Sequence, residues 1–183
     1  MPASGGCEVR VPTTNTPEAW DEFWRSERAN TWGKGTNPIR SRAAHILSGA
    51  GAVHEFGFGT TDFAKLIGKD RWHGHDWSDA AVKKARAEGY TADTLRCTQT
   101  PAFRVASICA FQVLSYLAPE DRDEFLERVS GASAIFSDHK GLHEPFASEA
   151  SFSAYLRRWW PFVSVDSIQT GKAFLFACCG VNG

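Results

Sequence analysis

The chain has 183 residues, of which 43% are hydrophobic and 22% charged, and its net charge is −1. That length suits one domain with a full core, and the balance excludes pervasive disorder. Near-neutrality excludes a global field that would draw a polyanion, and no stretch has the ~20 apolar residues needed to span a bilayer.

Residues 1–15 are rich in Gly, Pro, Ser and Thr and hold no apolar run of signal-peptide length. They read as a flexible N-terminus ahead of one domain, 16–183, in which helices over 16–51 precede a core over 52–183. The five cysteines, Cys7, Cys97, Cys109, Cys178 and Cys179, are odd in number and show no C-x-x-C spacing. They are expected to be reduced thiols of a cytosolic protein.

Thr16-Pro17-Glu18 offers a cap, a first-turn proline and an early acid, and Trp20, Phe23 and Trp24 share one helical face. Asn37-Pro38 repeats the signal. Ile39, Ala43, Ile46 and Leu47 then line a stripe that Gly49 and Gly51 end. Trp32 lies in the link between these helices.

From Ala52 strands alternate with helices. Val53–Phe56 reads as a short buried strand, Gly57-Phe58-Gly59 as a turn, and Phe63, Leu66 and Ile67 as the inner face of a helix. Arg71–His75 reads as a second strand. Ser78 caps a helix that turns Ala81, Val82 and Ala85 inward, and Gly89–Thr91 reads as a third strand. Val105–Val113 is apolar enough for a central strand buried on both faces. Pro119 opens a helix with Phe125, Leu126 and Val129 inward, Ser133–Ser137 is a fifth strand, and Ser151–Trp160 is helical. Phe162–Gln169 and Lys172–Cys178 flank Gly171 closely enough to be antiparallel. The pattern predicts an α/β fold: a mostly parallel sheet with helices on both faces and an antiparallel C-terminal hairpin.

In such sheets ligands bind beyond the carboxyl ends of the strands. Val53 to Thr61 fits that place, because its glycines permit turns and close approach and Glu55 sets a carboxylate at the strand end. Asp62 stands where the third glycine of G-x-G-x-x-G would be. Together with Glu55 it disfavours a pyrophosphate and suits a cationic ligand. About 20 residues on, Asp76 in Gly74-His75-Asp76-Trp77-Ser78 has the spacing of a ribose-binding acid, and Trp77 can cover an adenine. Asp93, after the third strand, can accept from an adenine amino group. Each acid alone also reads as an ordinary turn or helix-start residue.

With these pieces in order, residues 53–179 resemble the class I S-adenosylmethionine-dependent methyltransferases. The match rests on Glu55-Phe56-Gly57-Phe58-Gly59-Thr60, Gly74-His75-Asp76-Trp77-Ser78, Ala92-Asp93, and Val113-Leu114-Ser115-Tyr116-Leu117. The resemblance implies a three-layer Rossmann-like sandwich with a seven-stranded sheet, and S-adenosylmethionine as cofactor, leaving as S-adenosylhomocysteine. It implies a cofactor site of Glu55, Gly57, Phe58, Gly59, Thr60, Asp76, Trp77, Asp93, Thr94 and Gln112. The chain departs from the family pattern at Thr61, at Phe103-Arg104, at Tyr116, where many relatives carry histidine, and in the short stretch between the glycine loop and the fourth strand.

Methyl transfer needs an acceptor about 3 Å from the methyl carbon and in line with the breaking bond. Candidate bases are Tyr116, Asp138, His139 and His143, with His139 and Tyr116 taken as catalytic. His73 and His75 alternate on one strand, but no further ligands stand at useful spacing, so no metal is expected. Arg157, Arg158, Trp159 and Trp160 form the one basic–aromatic cluster suited to RNA. The expected acceptor is a small molecule methylated at O or N, without nucleic acid or membrane. The alternatives are an RNA or protein methyltransferase, a non-catalytic relative acting through partners, and a nicotinamide-dependent dehydrogenase, which Asp62 and the terminal hairpin disfavour. Oligomeric state is left open.

Overall fold

The computed structural model of the chain describes residues 12–26, 29, 37–102, 106–139, 141, 143–169 and 173–180. Cys7, Trp32, Phe103, Arg104 and Gly171 lie outside the described residues, as does most of the predicted flexible N-terminus. Two capped helices lead in. In α1 (Pro17–Arg25) the Thr16 hydroxyl accepts from Ala19 N, and in α2 (Pro38–Ile46) the Asn37 side chain accepts from Ile39 N and Arg40 N. Each cap pairs donors that the first turn leaves open, and proline at the first helical position gives up no bond.

Five parallel strands follow: β1 (Val53–Phe56), β2 (Trp72–Asp76), β3 (Thr91–Thr94), β4 (Ser107–Phe111) and β5 (Ser133–His139). Between them run α3 (Asp62–Ile67), α4 (Asp79–Ala87) and α5 (Pro119–Val129), and α6 (Glu149–Leu156) follows β5. The last two strands, β6 (Phe162–Gln169) and β7 (Ala173–Gly180), are antiparallel, and β7 runs antiparallel to β5. The strand order is β3-β2-β1-β4-β5-β7-β6. The order reverses between β1 and β4, which places a crevice at their carboxyl ends.

Alternation along the strands divides the core in two. On one face Val53, Trp72, Cys109 and Ile135 pack against α2, α3 and α4 through Ala43, Phe63 and Val82. On the other, Phe56, Ile108, Ala110 and Phe136 meet Phe125 and Leu126 of α5 and Phe152 and Leu156 of α6. β4 is buried over its last four residues, as its apolar run predicts. Among the described residues no helix is long and apolar enough to cross a membrane.

Several expectations shift. Ile46 and Leu66, placed on inner faces by periodicity, are 46% and 52% exposed; the buried stripes are Ile39, Ala43 and Leu47, and Phe63, Ala64 and Ile67. α6 starts two residues earlier, where the Ser148 hydroxyl accepts from Ser151 N, and ends before Arg157. The basic–aromatic cluster divides: its tryptophans pack inward, wholly or in part, while Arg157 and Arg158 stay exposed. Trp160 is fully buried and donates to Ala132 O, and Arg158 pairs with Asp123 and covers the Trp159 ring at 4.4 Å. The largest shift is in β3, which lies at Thr91–Thr94 rather than 89–91, so Asp93 is a strand residue.

Candidate active site

Two adjoining hollows open beyond the carboxyl ends of β1, β2 and β4. The first is bounded by Asp76, Trp77 and the segment Leu95 to Thr98, the second by Arg40, Thr60, Phe111 and Ser137. Trp20, Trp24, Gly57, Gln112 and Tyr116 border both.

The glycine bend follows β1 directly. Gly57 and Gly59 have φ of +61° and +56°, a region that side chains with a Cβ resist. A Cβ on Gly59 would lie 2.2 Å from Cζ2 of Trp24, so the roof rests on bare backbone there. Gly57 N donates to His75 O, tying the bend to β2.

Asp76 ends β2. It is 5% exposed and lines the first hollow, where it accepts from Gly59 N at 3.0 Å and Ser78 N at 2.9 Å. Burial pushes its carboxyl up to about 6, although the backbone N–H groups pull the other way. At neutral pH it remains largely ionised, with acceptor capacity left for a ligand.

The α1 helix forms the roof. Asp21 accepts from Ser78 Oγ at 2.6 Å and Ala80 N at 3.0 Å, which docks α1 on the start of α4. Asn15 accepts from Trp20 Nε1 at 2.9 Å and donates to Tyr116 O. Trp20 and Trp24 stack at 6.2 Å, and Trp20 meets Tyr116 edge-on.

Of the residues expected to hold a cofactor, the structure brings Gly57, Phe58, Gly59, Thr60, Asp76, Trp77 and Gln112 to the two hollows. Phe58 contributes backbone, since its ring packs edge-on against Trp72 inside the core. Gln112 holds a left-handed φ of +58°, unusual for a residue with a side chain, and its amide meets His139 Nε2 at 3.0 Å.

Three expected cofactor contacts lie elsewhere. Glu55 is fully buried beneath the bend, where it accepts from Trp72 Nε1 at 2.8 Å and lies 3.4 Å from the Arg40 guanidinium. Burial outweighs both partners and lifts its carboxyl to about 7. Asp93 points across the opposite sheet face to His73 (2.7 Å) and Arg86 (3.0 Å). Thr94 donates to Asp79 on the surface. The two-residue shift of β3 explains the last two, and the segment Leu95 to Thr98 takes the place expected of them.

The expected bases are also redistributed. Tyr116 lines both hollows, and burial, with the Asp138 charge behind it, raises its phenol above the ordinary value, which favours its protonated form. His139 borders neither hollow and is reached through Gln112. Asp138 is buried and accepts from Ser115 N and Oγ, and exposed His143 pairs with Glu144 O. Asn15, Asp21, Arg40 and the segment Leu95 to Thr98 are site residues that sequence reasoning missed. Only the last carried a signal, its position directly after the third strand.

The sequence expectation set no third candidate ligand beside His73 and His75. β1 sets His54 beside them in register, and one donor nitrogen from each of the three lies within 4.8 Å of the others.

No family model and no curated protein sequence matches the chain. Solved structures do. A Burkholderia thailandensis 1,6-didemethyltoxoflavin-N1-methyltransferase, with 1,6-didemethyltoxoflavin and S-adenosylhomocysteine bound, superposes with a TM-score of 0.66 at 13% identity over 91% of this chain and 87% of that one. The DhpI–SAM–HEP complex gives 0.62 at 17% identity over 87% and 94%. The Synechocystis magnesium protoporphyrin IX methyltransferase with bound SAM gives 0.59 at 14% over 93% and 100%. The chain therefore has the fold of the class I S-adenosylmethionine-dependent methyltransferases.

Proposed function

We propose that the protein is an S-adenosylmethionine-dependent methyltransferase that transfers methyl groups in line to an oxygen or nitrogen of a small molecule. The observation that carries this reading is the meeting of the glycine bend, the Asp76 carboxylate and an aromatic roof at one place. The reading takes the antiparallel β6 and β7 as that family's reversed last strands.

The residues present suit the cofactor. Asp76 keeps acceptor capacity for a ribose hydroxyl beside the backbone N–H groups of Gly59, Trp77 and Ser78. The segment after β3 offers backbone to an adenine edge, and Arg40 gives a cation for a carboxylate beside Gly59 and Thr60. Trp20, Trp24 and Tyr116 present ring faces and edges that suit a sulfonium. When bound, the cofactor supplies an electrophilic methyl group. The protein's own residues exclude water with the indole roof, position the acceptor near Gln112, and orient it by the protonated Tyr116 hydroxyl. His139 acts by holding the Gln112 amide rather than by touching the acceptor. The 1,6-didemethyltoxoflavin bound in the neighbouring Burkholderia structure supports a small organic acceptor.

Calorimetric titration of the protein with S-adenosylhomocysteine tests the reading. We expect one site per chain and a raised melting temperature. The absence of both overturns it. Transfer of labelled methyl groups to RNA but not to small amines or phenols would overturn the acceptor class alone.

A further inference from the structure

The face of the sheet opposite the glycine bend carries a constellation that the proposed reaction does not use. His54 on β1 and His73 on β2 are register partners, and His75 lies two residues further along the same face of β2. The three imidazoles pack together, with centroids 5.3 Å apart for His54 and His73, 5.2 Å for His54 and His75, and 4.5 Å for His73 and His75. His54 Nδ1 lies 2.9 Å from His75 Nε2. We propose that His54, His73 and His75 form a binding site for a divalent transition-metal ion of the zinc type.

The donor set fits that class. Imidazole nitrogens suit zinc, copper and nickel and leave calcium and magnesium, which prefer oxygen, without partners. Zinc–nitrogen bonds of 2.0–2.1 Å in a tetrahedron separate the donors by about 3.3 Å. One pair already stands near that distance, and every pair lies within 4.8 Å, so rotamer adjustments without backbone change close the site. A histidine ligand needs a partner that fixes its ring. Asp93 supplies one, since its carboxylate lies 2.7 Å from His73 Nε2 and is itself held by Arg86. The imidazoles must also be neutral, and burial first, then the neighbouring rings, lowers the pKa of both His54 and His75.

Topology keeps the site reachable. Among the described residues, the connection from β3 to β4 holds a short 3-10 turn, Cys97–Gln99, and no longer helix. His73 keeps 30% of its side chain exposed and Asp93 52%, which leaves an entry path and room for water or a further ligand. A rigid base is present too, because His75 is buried and stacks on Phe56 at 4.8 Å. None of the three borders the hollows, so this site and the proposed cofactor site are separate.

The test uses the full chain, stripped with chelator and dialysed into metal-free buffer. Titration with zinc chloride is expected to give one site per chain and a rise in melting temperature. Cobalt(II) is expected to develop the visible absorption of a nitrogen-ligated, low-symmetry site. The paired substitution His54→Gln and His73→Gln falls on partly exposed side chains and is expected to abolish both signals. Asp93→Asn is expected to weaken zinc about 10- to 100-fold, and His45→Gln, on α2, to change nothing. Failure of the unsubstituted protein to bind zinc overturns the proposal, as does unchanged binding in the paired variant. Binding lost equally in His45→Gln also overturns it.

Discussion

Replacing Glu55 with glutamine removes a charge that sits under the glycine bend. Glutamine keeps the volume and can still accept from Trp72 Nε1, the bond that measures 2.8 Å in the native chain. Burial raises the Glu55 carboxyl from 4.5 to about 7, against the pull of Arg40 and Trp72. In the unfolded chain the group ionises near its ordinary value. Between those two values the folded protein holds a proton that the unfolded chain has released, so the stability that Glu55 contributes is full below pH 4.5 and is lost as pH rises through 7. At 1.36 kcal/mol per unit, the loss attributable to Glu55 is roughly 3 kcal/mol. Asp76, raised to about 6, adds a loss of the same sign, and the two acids interact, so the native profile is their joint titration. Glu55→Gln deletes one of the two. Urea unfolding at pH 5 and pH 8 is the assay. The variant should lose less stability than the native chain over that interval, by about 2–3 kcal/mol, whatever constant offset comes from Arg40 losing its partner. Parallel pH profiles for the two proteins would refute the reasoning. They would mean that Arg40 keeps Glu55 ionised throughout.

Three further outcomes follow from the site. Asp21→Ala should destabilise the chain by about 1–3 kcal/mol, because Ser78 Oγ and Ala80 N lose a charged acceptor. Hydrogen exchange should quicken in α1 and stay unchanged in β4, and uniform quickening would refute a local role. Gly59→Ala combines a left-handed backbone with a Cβ driven into Trp24, and should cost at least about 1–2 kcal/mol. Thermal unfolding measures it at about 2–4 °C per kcal/mol, and an unchanged melting temperature would contradict the packing described. Ultraviolet titration of the native chain minus Tyr116→Phe should show the Tyr116 phenol ionising above 10.0, and a lower midpoint would restore it as a candidate base.

Much of the architecture was legible because it is locally encoded. The caps at Thr16 and Asn37, the first-turn prolines and the apolar run of β4 each state their structure within a few residues. The failures at Asp93 and His54 share one cause. A strand alternates sides with every residue, so its limits and register decide where a side chain points. Asp93 was read as following a strand that ends earlier. Placed within β3, it faces Arg86 and the histidines rather than the hollow. His73 and His75 were visible as an alternating pair. Their partner His54 lies 19 residues away in sequence from His73 and joins them only through the pairing of β1 with β2, which no single segment encodes. Glu55 was correctly placed at the end of β1, but Arg40 from α2 and Trp72 from β2 claim its carboxylate. Those contacts arise from tertiary packing.

The two tryptophans of α1 hang over the hollows on a few polar attachments, chiefly Asp21 to the head of α4 and Asn15 to the chain just beyond β4. A helix of nine residues has little stability of its own in water. Unlatching it therefore requires breaking those attachments and the aromatic contacts, not melting the domain. On the proposed function, exchange of the cofactor would then be paced by a local opening of α1, and residence time would become a property of α1 as much as of the ligand. A substitution at Asp21, remote from any reacting atom, would speed arrival and departure together and leave the chemistry of the enclosed chamber as it was.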